Sequence, residues 1–260
     1  MRIAQITDSH LVGAGRLWKG QVDCATRLAE AVERVNALAP DLVVHTGDLA
    51  ENGEAPEYEE AAAILAGLEA PLRILPGNHD RRAPLAAAFS GQGWEGAPFL
   101  NFRLEAEGLS VIGLDTVAEG LTEGRFGEVQ ADWLRRALEG ASPVLLFAHH
   151  PPCPMDLPFM DQYVFDGTER AASLISGRRD LLRIVVGHVH AAAERHWAGT
   201  IVAACPALSV QIPPEQPLDA SAGWVDAPGA IRLHDWRPET GLTVKLVSVA
   251  PGAPPRPFED

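Results

Sequence analysis

A chain of 260 residues with 47% hydrophobic and 22% charged side chains has the composition of an ordinary globular protein with a sizeable core. Its formal charge of -14 and pI near 5.0 argue against a nucleic-acid polymer as the main partner, because phosphate backbones are held largely by lysine and arginine. Cys24, Cys153 and Cys205 are widely spaced without a Cys-x-x-Cys pair, which argues against a disulfide framework and fits a reducing, cytoplasmic compartment.

No apolar stretch reaches the roughly 18 residues of a membrane helix, so no membrane partner is expected. No leader peptide is expected either, since the chain enters its first strand at once and a cleaved segment would carry away Asp8 and His10.

In chain order, the apolar run Ile3-Ala4-Gln5-Ile6-Thr7 predicts a strand that ends in Asp8-Ser9-His10. A Gly-rich loop with Arg16, Trp18 and Lys19 follows. Asp23 then predicts an N-cap for a helix in which Leu28, Ala31, Val32 and Val35 recur at helical spacing, ended by Pro40. The run Leu42-Val43-Val44-His45-Thr46-Gly47 reads as a buried strand. It presents Asp48 at its C-terminal edge, where open α/β sheets place their ligands. Pro56 leads into a second helix through Tyr58, Ala62, Leu65 and Leu68. Leu72-Arg73-Ile74-Leu75 then ends in Pro76-Gly77-Asn78-His79-Asp80. This alternation predicts right-handed crossovers and a parallel core.

Residues 99–104 and 109–114 read as consecutive strands joined by Ala106-Glu107-Gly108, and a helix follows over 128–138 with Trp133, Leu134 and Leu138 on one face. Val144-Leu145-Leu146-Phe147 ends in His149-His150-Pro151. Residues 151–165 have no period and read as a loop beside the site, and 167–176 as a helix. Ile184-Val185-Val186 ends in Gly187-His188-Val189-His190, with further strands expected at 194–197, 200–204, 231–236 and 242–249. A Pro/Gly-rich loop spans 213–229. The whole of 1–260 reads as a single domain, with 251–260 as a loose tail.

Every plausible metal ligand thus sits at the end of a short apolar run, and if these runs are neighbouring strands their ends converge on one rim. Aspartate, asparagine and several histidines offer mixed oxygen and imidazole coordination, which suits Fe, Mn, Zn or Co better than Mg or Ca. The ligands are too many for one tetrahedral ion. They fit two ions about 3.5–4 Å apart on a shared carboxylate, for which Asp48 is the natural bridge. His45, inside an apolar strand, reads as a core histidine or a donor to a ligand, and His196 and His234 as structural.

Asp8-Ser9-His10, Gly47-Asp48, Gly77-Asn78-His79-Asp80, His149-His150-Pro151 and Gly187-His188-Val189-His190 together resemble the calcineurin-like metallophosphoesterases, over residue 1 to about residue 211. The resemblance implies a four-layer α/β/β/α sandwich of two mixed sheets. It implies two metal ions, divalent or mixed-valence, one held by Asp8, His10, Asp48 and His190 and the other by Asp48, Asn78, His149 and His188. It makes His79 the histidine beside the scissile group, with Asn78 sharing in charge stabilisation. His150 is left to orient a ligand or simply to pack. The implied reaction is metal-assisted hydrolysis of a small phosphate ester.

Within the family the chain is most similar to bacterial class III cyclic-nucleotide phosphodiesterases and their glycerophosphodiesterase relatives, through His149-His150-Pro151-Pro152 and the helix carrying Gln130 and Trp133-Leu134. It departs from the Ser/Thr protein phosphatases by lacking Asp-Arg-Gly after Asp48. It departs from purple acid phosphatases by Glu51, where they carry a tyrosine ligand. Cyclic nucleotides are therefore the first expected substrate, glycerophosphodiesters the second, and phosphomonoesters the alternative. A metal-free interaction module is disfavoured because all seven ligand positions are filled, and a nuclease because the chain is acidic. Native metals and oligomeric state stay open.

Overall fold

The computed structural model describes residues 1–13, 15–141, 143–163, 165–218 and 223–250, so the expected tail lies outside the described residues. The first half of the chain contains β1 (Arg2–Ile6), α1 (Cys24–Leu38), β2 (Leu42–His45), α2 (Ala55–Leu65), β3 (Leu72–Ile74) and α3 (Arg82–Ala88). There follow β4 (Phe102–Ala106), β5 (Leu109–Leu114), α4 (Glu128–Ala137), β6 (Val144–Ala148), α5 (Thr168–Ile175), β7 (Leu181–Val186), β8 (Ala193–Trp197) and β9 (Thr200–Ala204). The last two strands are β10 (Ala230–Arg237) and β11 (Gly241–Ser248). They form a five-stranded sheet, β11-β10-β1-β2-β3, and a six-stranded sheet, β4-β5-β6-β7-β9-β8.

Both sheets are mixed. β1, β2 and β3 run parallel, as do β5, β6, β7 and β9, while β10, β11, β4 and β8 pair antiparallel at the flanks.

Alternation along the strands sets the layering, because successive side chains leave opposite faces of a sheet. In β1 and β2, Ala4, Ile6 and Val43 pack with Leu28, Val32, Val35, Tyr58 and Leu65 of α1 and α2. Ile3, Leu42 and Val44 turn the other way and meet Val111, Leu145, Phe147 and Val185 of the second sheet. Leu146, Ile184 and Val186 close a third core against Leu134, Ala137, Ala171 and Ile175 of α4 and α5. Three cores between helix, sheet, sheet and helix make the expected α/β/β/α sandwich. Gln5, buried between the sheets, donates to Thr46 Oγ1 and to Val186 O, both at 3.0 Å, and so ties the end of β2 to the end of β7.

The helix starts follow local chemistry. Asp23 caps α1 by accepting from Thr26 N at 2.9 Å, and the helix ends in left-handed Ala39 just before Pro40. Three readings need correction. The buried stripe of α2 runs through Tyr58, Ala61 and Leu65, with Ala62 and Leu68 half-buried against the same core and the helix ending at Leu65, since Ala61-Ala62-Ala63 leaves the helical phase ambiguous in sequence. The short helix α3 was not anticipated; it buries one residue, Leu85, and so has no readable period. The stretch expected to be wholly loop contains a short 3-10 turn at Met160–Tyr163.

Candidate metal centre

Five parallel strands stop one to a few residues short of the functional side chains. Asp8 and His10 follow β1, Asp48 follows β2, Asn78 and His79 follow β3, His149 follows β6, and His188 and His190 follow β7. The expected convergence is therefore realised across two sheets rather than along one. The turns are tight enough that Asp8, His10, Asp48, His188 and His190 all adopt positive φ between 50° and 69°. Left-handed backbone is uncommon outside glycine, although Asp and His tolerate it better than most, and its concentration here marks a place where the fold overrides local preference. Two glycines are required by proximity: a Cβ on Gly77 would lie 2.2 Å from Asp48 Oδ1, and one on Gly187 would lie 2.2 Å from Thr7 Oγ1.

All seven expected ligands come together, and all but partly exposed Asn78 are buried. Asp48 is central. Its Oδ1 accepts from His79 N at 2.8 Å, while Oδ2 lies 3.3 Å from His149 Nε2 and 3.7 Å from His10 Nε2. Asp8 Oδ1 lies 3.4 Å from His190 Nε2, and Asn78 Oδ1 lies 3.1 Å from His149 Nε2 and 2.9 Å from His188 Nδ1. Potential ligand atoms of Asp8, His10 and His190, of His10, Asp48 and His79, and of Asp8, Asp48 and His149 each lie within 4.8 Å of one another.

Second partners fix the ring orientations. His149 Nδ1 donates to Thr46 O and His190 Nδ1 to Val210 O, both at 2.8 Å, and His10 Nδ1 sits 2.7 Å from Glu51 Oε2. A carbonyl only accepts, so these contacts place the proton on Nδ1 and turn the Nε2 lone pairs inward, the usual arrangement for ligating histidines. Inside, His10 Nε2 meets His190 Nε2 at 3.2 Å and His149 Nε2 meets Asn78 Oδ1 at 3.1 Å, each pair bridged by one proton or one cation. Such a set fits cations.

The acid-base balance of the groups carries the same demand for positive charge. Burial opposes ionisation of Asp8 and Asp48, yet His190 beside the first and His149 beside the second hold both carboxyls below the usual range. Burial likewise opposes charging His149, but Asp48 prevails and pushes it up to about 9.

Glu51 is the residue whose role sequence reasoning missed, although its position three places after Asp48 was the available signal. It holds His10, and its carbonyl accepts from His79 Nδ1 at 2.8 Å. His79 is therefore fixed through Nδ1 with Nε2 left for substrate. Burial works against its charge, while Asp48 and Glu51 raise its pKa overall. Asp80 was named only as part of its motif. It accepts from Leu49 N, Ala50 N, Gly77 N and Tyr58 Oη, and so clamps the two loops that carry Asp48 and Asn78.

Of the remaining histidines, only His150 brings a ring nitrogen within 4.8 Å of two expected ligands, His149 and His188. His45 is buried between Ser9 Oγ and Gly47 N, and His234 packs edge-on against Phe147. His150 contacts Thr116 Oγ1 at 2.8 Å and donates to Thr122 O at 3.2 Å, so it tethers the loop beside the site while meeting His149 edge-on and His188 at a tilt. His196 is exposed on β8.

A cavity of about 300 Å³ opens over the cluster, lined by Trp18, Lys19, Phe159, Met160, Tyr163 and Trp224 together with the inner histidines. Trp18 and part of the 151–165 stretch thus cover the site, while Met155 and Phe165 of the same stretch belong to the third core. Trp224 had no sequence signal of its own.

The calcineurin-like phosphoesterase family matches residues 1–192, and the chain belongs to that family. It is 33% identical over 264 residues to a probable glycerophosphodiester phosphodiesterase of Arcobacter nitrofigilis, covering 99% of this chain and 97% of that protein. It is 32% identical over 250 residues to the 3′,5′-cyclic adenosine monophosphate phosphodiesterase of Pseudomonas aeruginosa, covering 93% of this chain and 89% of that one. A dimetal phosphatase from Danio rerio shares the fold with a TM-score of 0.73 at 16% identity, over 96% of each chain.

Proposed function

We propose that the chain is a dinuclear-metal phosphodiesterase acting on small diesters, cyclic nucleotides first and glycerophosphodiesters second. The observation that carries the dinuclear part is Asp48 Oδ2, which faces His10 on one side and His149 on the other. Asp8, His10, Asp48 and His190 would hold one ion and Asp48, Asn78, His149 and His188 the other, with Fe, Mn, Zn or Co suited to the donors. When bound, two such ions supply Lewis acidity and lower the pKa of a shared water from 15.7 toward about 7.

The protein's own part is positioning and proton handling. Asn78 and His79 face the phosphoryl group; His79, fixed at Nδ1, presents Nε2 to the leaving oxygen and to charge that develops as the ester bond lengthens. The preference for diesters rests on the shortage of cations around the cavity. Arg82 is turned away into a bidentate pair with buried Asp115, Arg16 is exposed on its loop, and Lys19 lies 4.9 Å over the Trp18 ring. A dianionic monoester would meet only Lys19 and Arg81, the latter among Glu51, Glu54 and Glu119, whereas aromatic walls suit a nucleobase or a second ester arm. No described helix is long and apolar enough to cross a membrane, and the three cysteines are buried and free.

Turnover of bis(p-nitrophenyl) phosphate against p-nitrophenyl phosphate, then of 3′,5′-cyclic AMP and glycerophosphodiesters, tests the reading. Higher kcat/KM for the diesters is expected, and a clear preference for the monoester would overturn it.

A further inference from the structure

Residues 18–21 form a tight turn in which Lys19 and Gly20 take positive φ of 47° and 70° and Gln21 N donates to Trp18 O at 3.0 Å. Two left-handed residues in succession favour glycine, asparagine or aspartate, so a lysine in the first place is held there at a cost. Trp18 and Val22 close the turn by exchanging backbone hydrogen bonds of 2.8 and 3.1 Å. The Lys19 ammonium thereby stands 4.9 Å over the Trp18 ring, at the wall of the aromatic cavity. Among the described residues, Lys19 is the only lysine or arginine lining that cavity, and it makes no ion pair. The acceptors of the other walls are engaged. The carbonyls of Thr122, Phe159, Val210 and Gly223, all lining residues, already accept from the side chains of His150, Gln162, His190 and Gln216. The Glu51 carboxylate lies beside the inner histidines and is taken by His10. The hydroxyls of Thr122 and Tyr163 can donate or accept and so do not discriminate.

We propose that the aromatic cavity prefers a cyclic nucleotide whose purine carries an oxo group at C6, guanine over adenine, and that Lys19 is the residue that sets this preference. The inference rests on the cyclic-nucleotide reading of the site and adds the base. With the phosphoryl group at the metal ligands, a base that reaches the tryptophans stacks in the corner that Trp18 and Trp224 make edge-to-face at 5.3 Å. A ring held in this way turns an edge to the ammonium. Both hydrogen-bonding edges of a purine include the substituent on C6, so either orientation brings it to Lys19. An ammonium only donates. Guanine offers it the O6 acceptor, with N7 beside it on one edge, whereas adenine places the N6 donors at the same point. An amino group there finds the wall carbonyls already engaged and faces a partner of like sign.

Inosine 3′,5′-cyclic phosphate isolates the C6 substituent, because it shares the oxo group of 3′,5′-cyclic GMP and lacks the 2-amino group. The metal-loaded full chain should hydrolyse both with kcat/KM about tenfold above that for 3′,5′-cyclic AMP, the discrimination expected of one good contact to a base edge. The difference should lie mainly in KM. Lys19→Met keeps the stem and removes the charge, and should bring the ratio toward one by losing on the oxo purines; Lys19→Arg should keep the preference. Equal kcat/KM for the inosine and adenosine cyclic phosphates, a preference for adenosine, or an oxo preference that survives Lys19→Met would overturn the role of Lys19 while leaving the phosphodiesterase reading intact. Turnover of bis(p-nitrophenyl) phosphate without turnover of any cyclic nucleotide would overturn the cyclic-nucleotide reading, and the base preference with it.

Discussion

His10 Nε2 and His190 Nε2 face each other at 3.2 Å, while the opposite nitrogen of each ring is held by an acceptor, Glu51 for His10 and the Val210 carbonyl for His190. Two inward nitrogens at that distance need a proton or a metal ion between them. Metal therefore binds the folded state preferentially, and chelation should lower Tm. Re-addition of Mn or Zn should restore it, by about 2.7 kcal/mol at a free concentration one hundred times Kd. Scanning calorimetry before and after chelation checks this, and a Tm indifferent to metal would contradict it.

Glu51 touches two histidines with different tasks, so its variants should show two effects. Glu51→Ala should weaken metal affinity roughly 10–100-fold through His10, the loss expected when a partner of a ligating histidine is removed. Activity at saturating metal should fall further, because the Glu51 carboxylate also lies 3.5 Å from His79. Glu51→Gln keeps a hydrogen-bond acceptor for His10 and should recover most of the affinity. Metal titration of both variants beside the wild type decides it; equal affinities would remove the role assigned to Glu51.

His79→Ala should keep its metals and lose about 10²–10⁴-fold in kcat, the range for a positioned acid or base. If Nε2 serves the leaving oxygen, a p-nitrophenolate ester should suffer less than an alkyl ester. An equal loss on both would leave His79 only a charge-stabilising role.

His234 gives a pH dependence separate from the metal chemistry. It is fully buried with both ring nitrogens unpartnered, and burial, reinforced by Arg232 and Arg183, pushes it down to about 3. Its pKa is depressed in the fold, so the unfolded chain takes up the proton first as pH falls below about 6.5. Stability from this group is complete above that pH and declines as pH drops toward 3, with about 2 kcal/mol lost at pH 5. His234→Phe should flatten the fall in urea-unfolding free energy between pH 7 and pH 5. An unchanged pH slope would show that His234 does not contribute.

The parts of this site written locally were legible in sequence. Ligands that sit at strand ends need an apolar run, a tight turn and small residues next to the carboxylate or imidazole. Asp8, His10, Asp48, Asn78, His149, His188 and His190 all carry those signatures within a few residues. Glu51 and Asp80 were present in the same motifs, but their work depends on contacts with His10, with Tyr58 and with a loop about thirty residues away. Trp224 lies in a Pro/Gly-rich stretch without period, and only the folded chain brings it against Trp18. Met155 and Phe165 show the reverse case: both lie in the stretch read as a loop beside the site, yet they fill the third core.

The bridge at Asp48 is the claim on which the whole account depends. Elemental analysis of purified wild type and of Asp48→Ala, each loaded with Mn or Zn and desalted, tests it most directly, with Asn78→Ala as the comparison. The account predicts about two ions per chain in the wild type, nearly none in Asp48→Ala, and about one in Asn78→Ala. Two ions retained by Asp48→Ala would contradict a shared carboxylate and the dinuclear centre built around it.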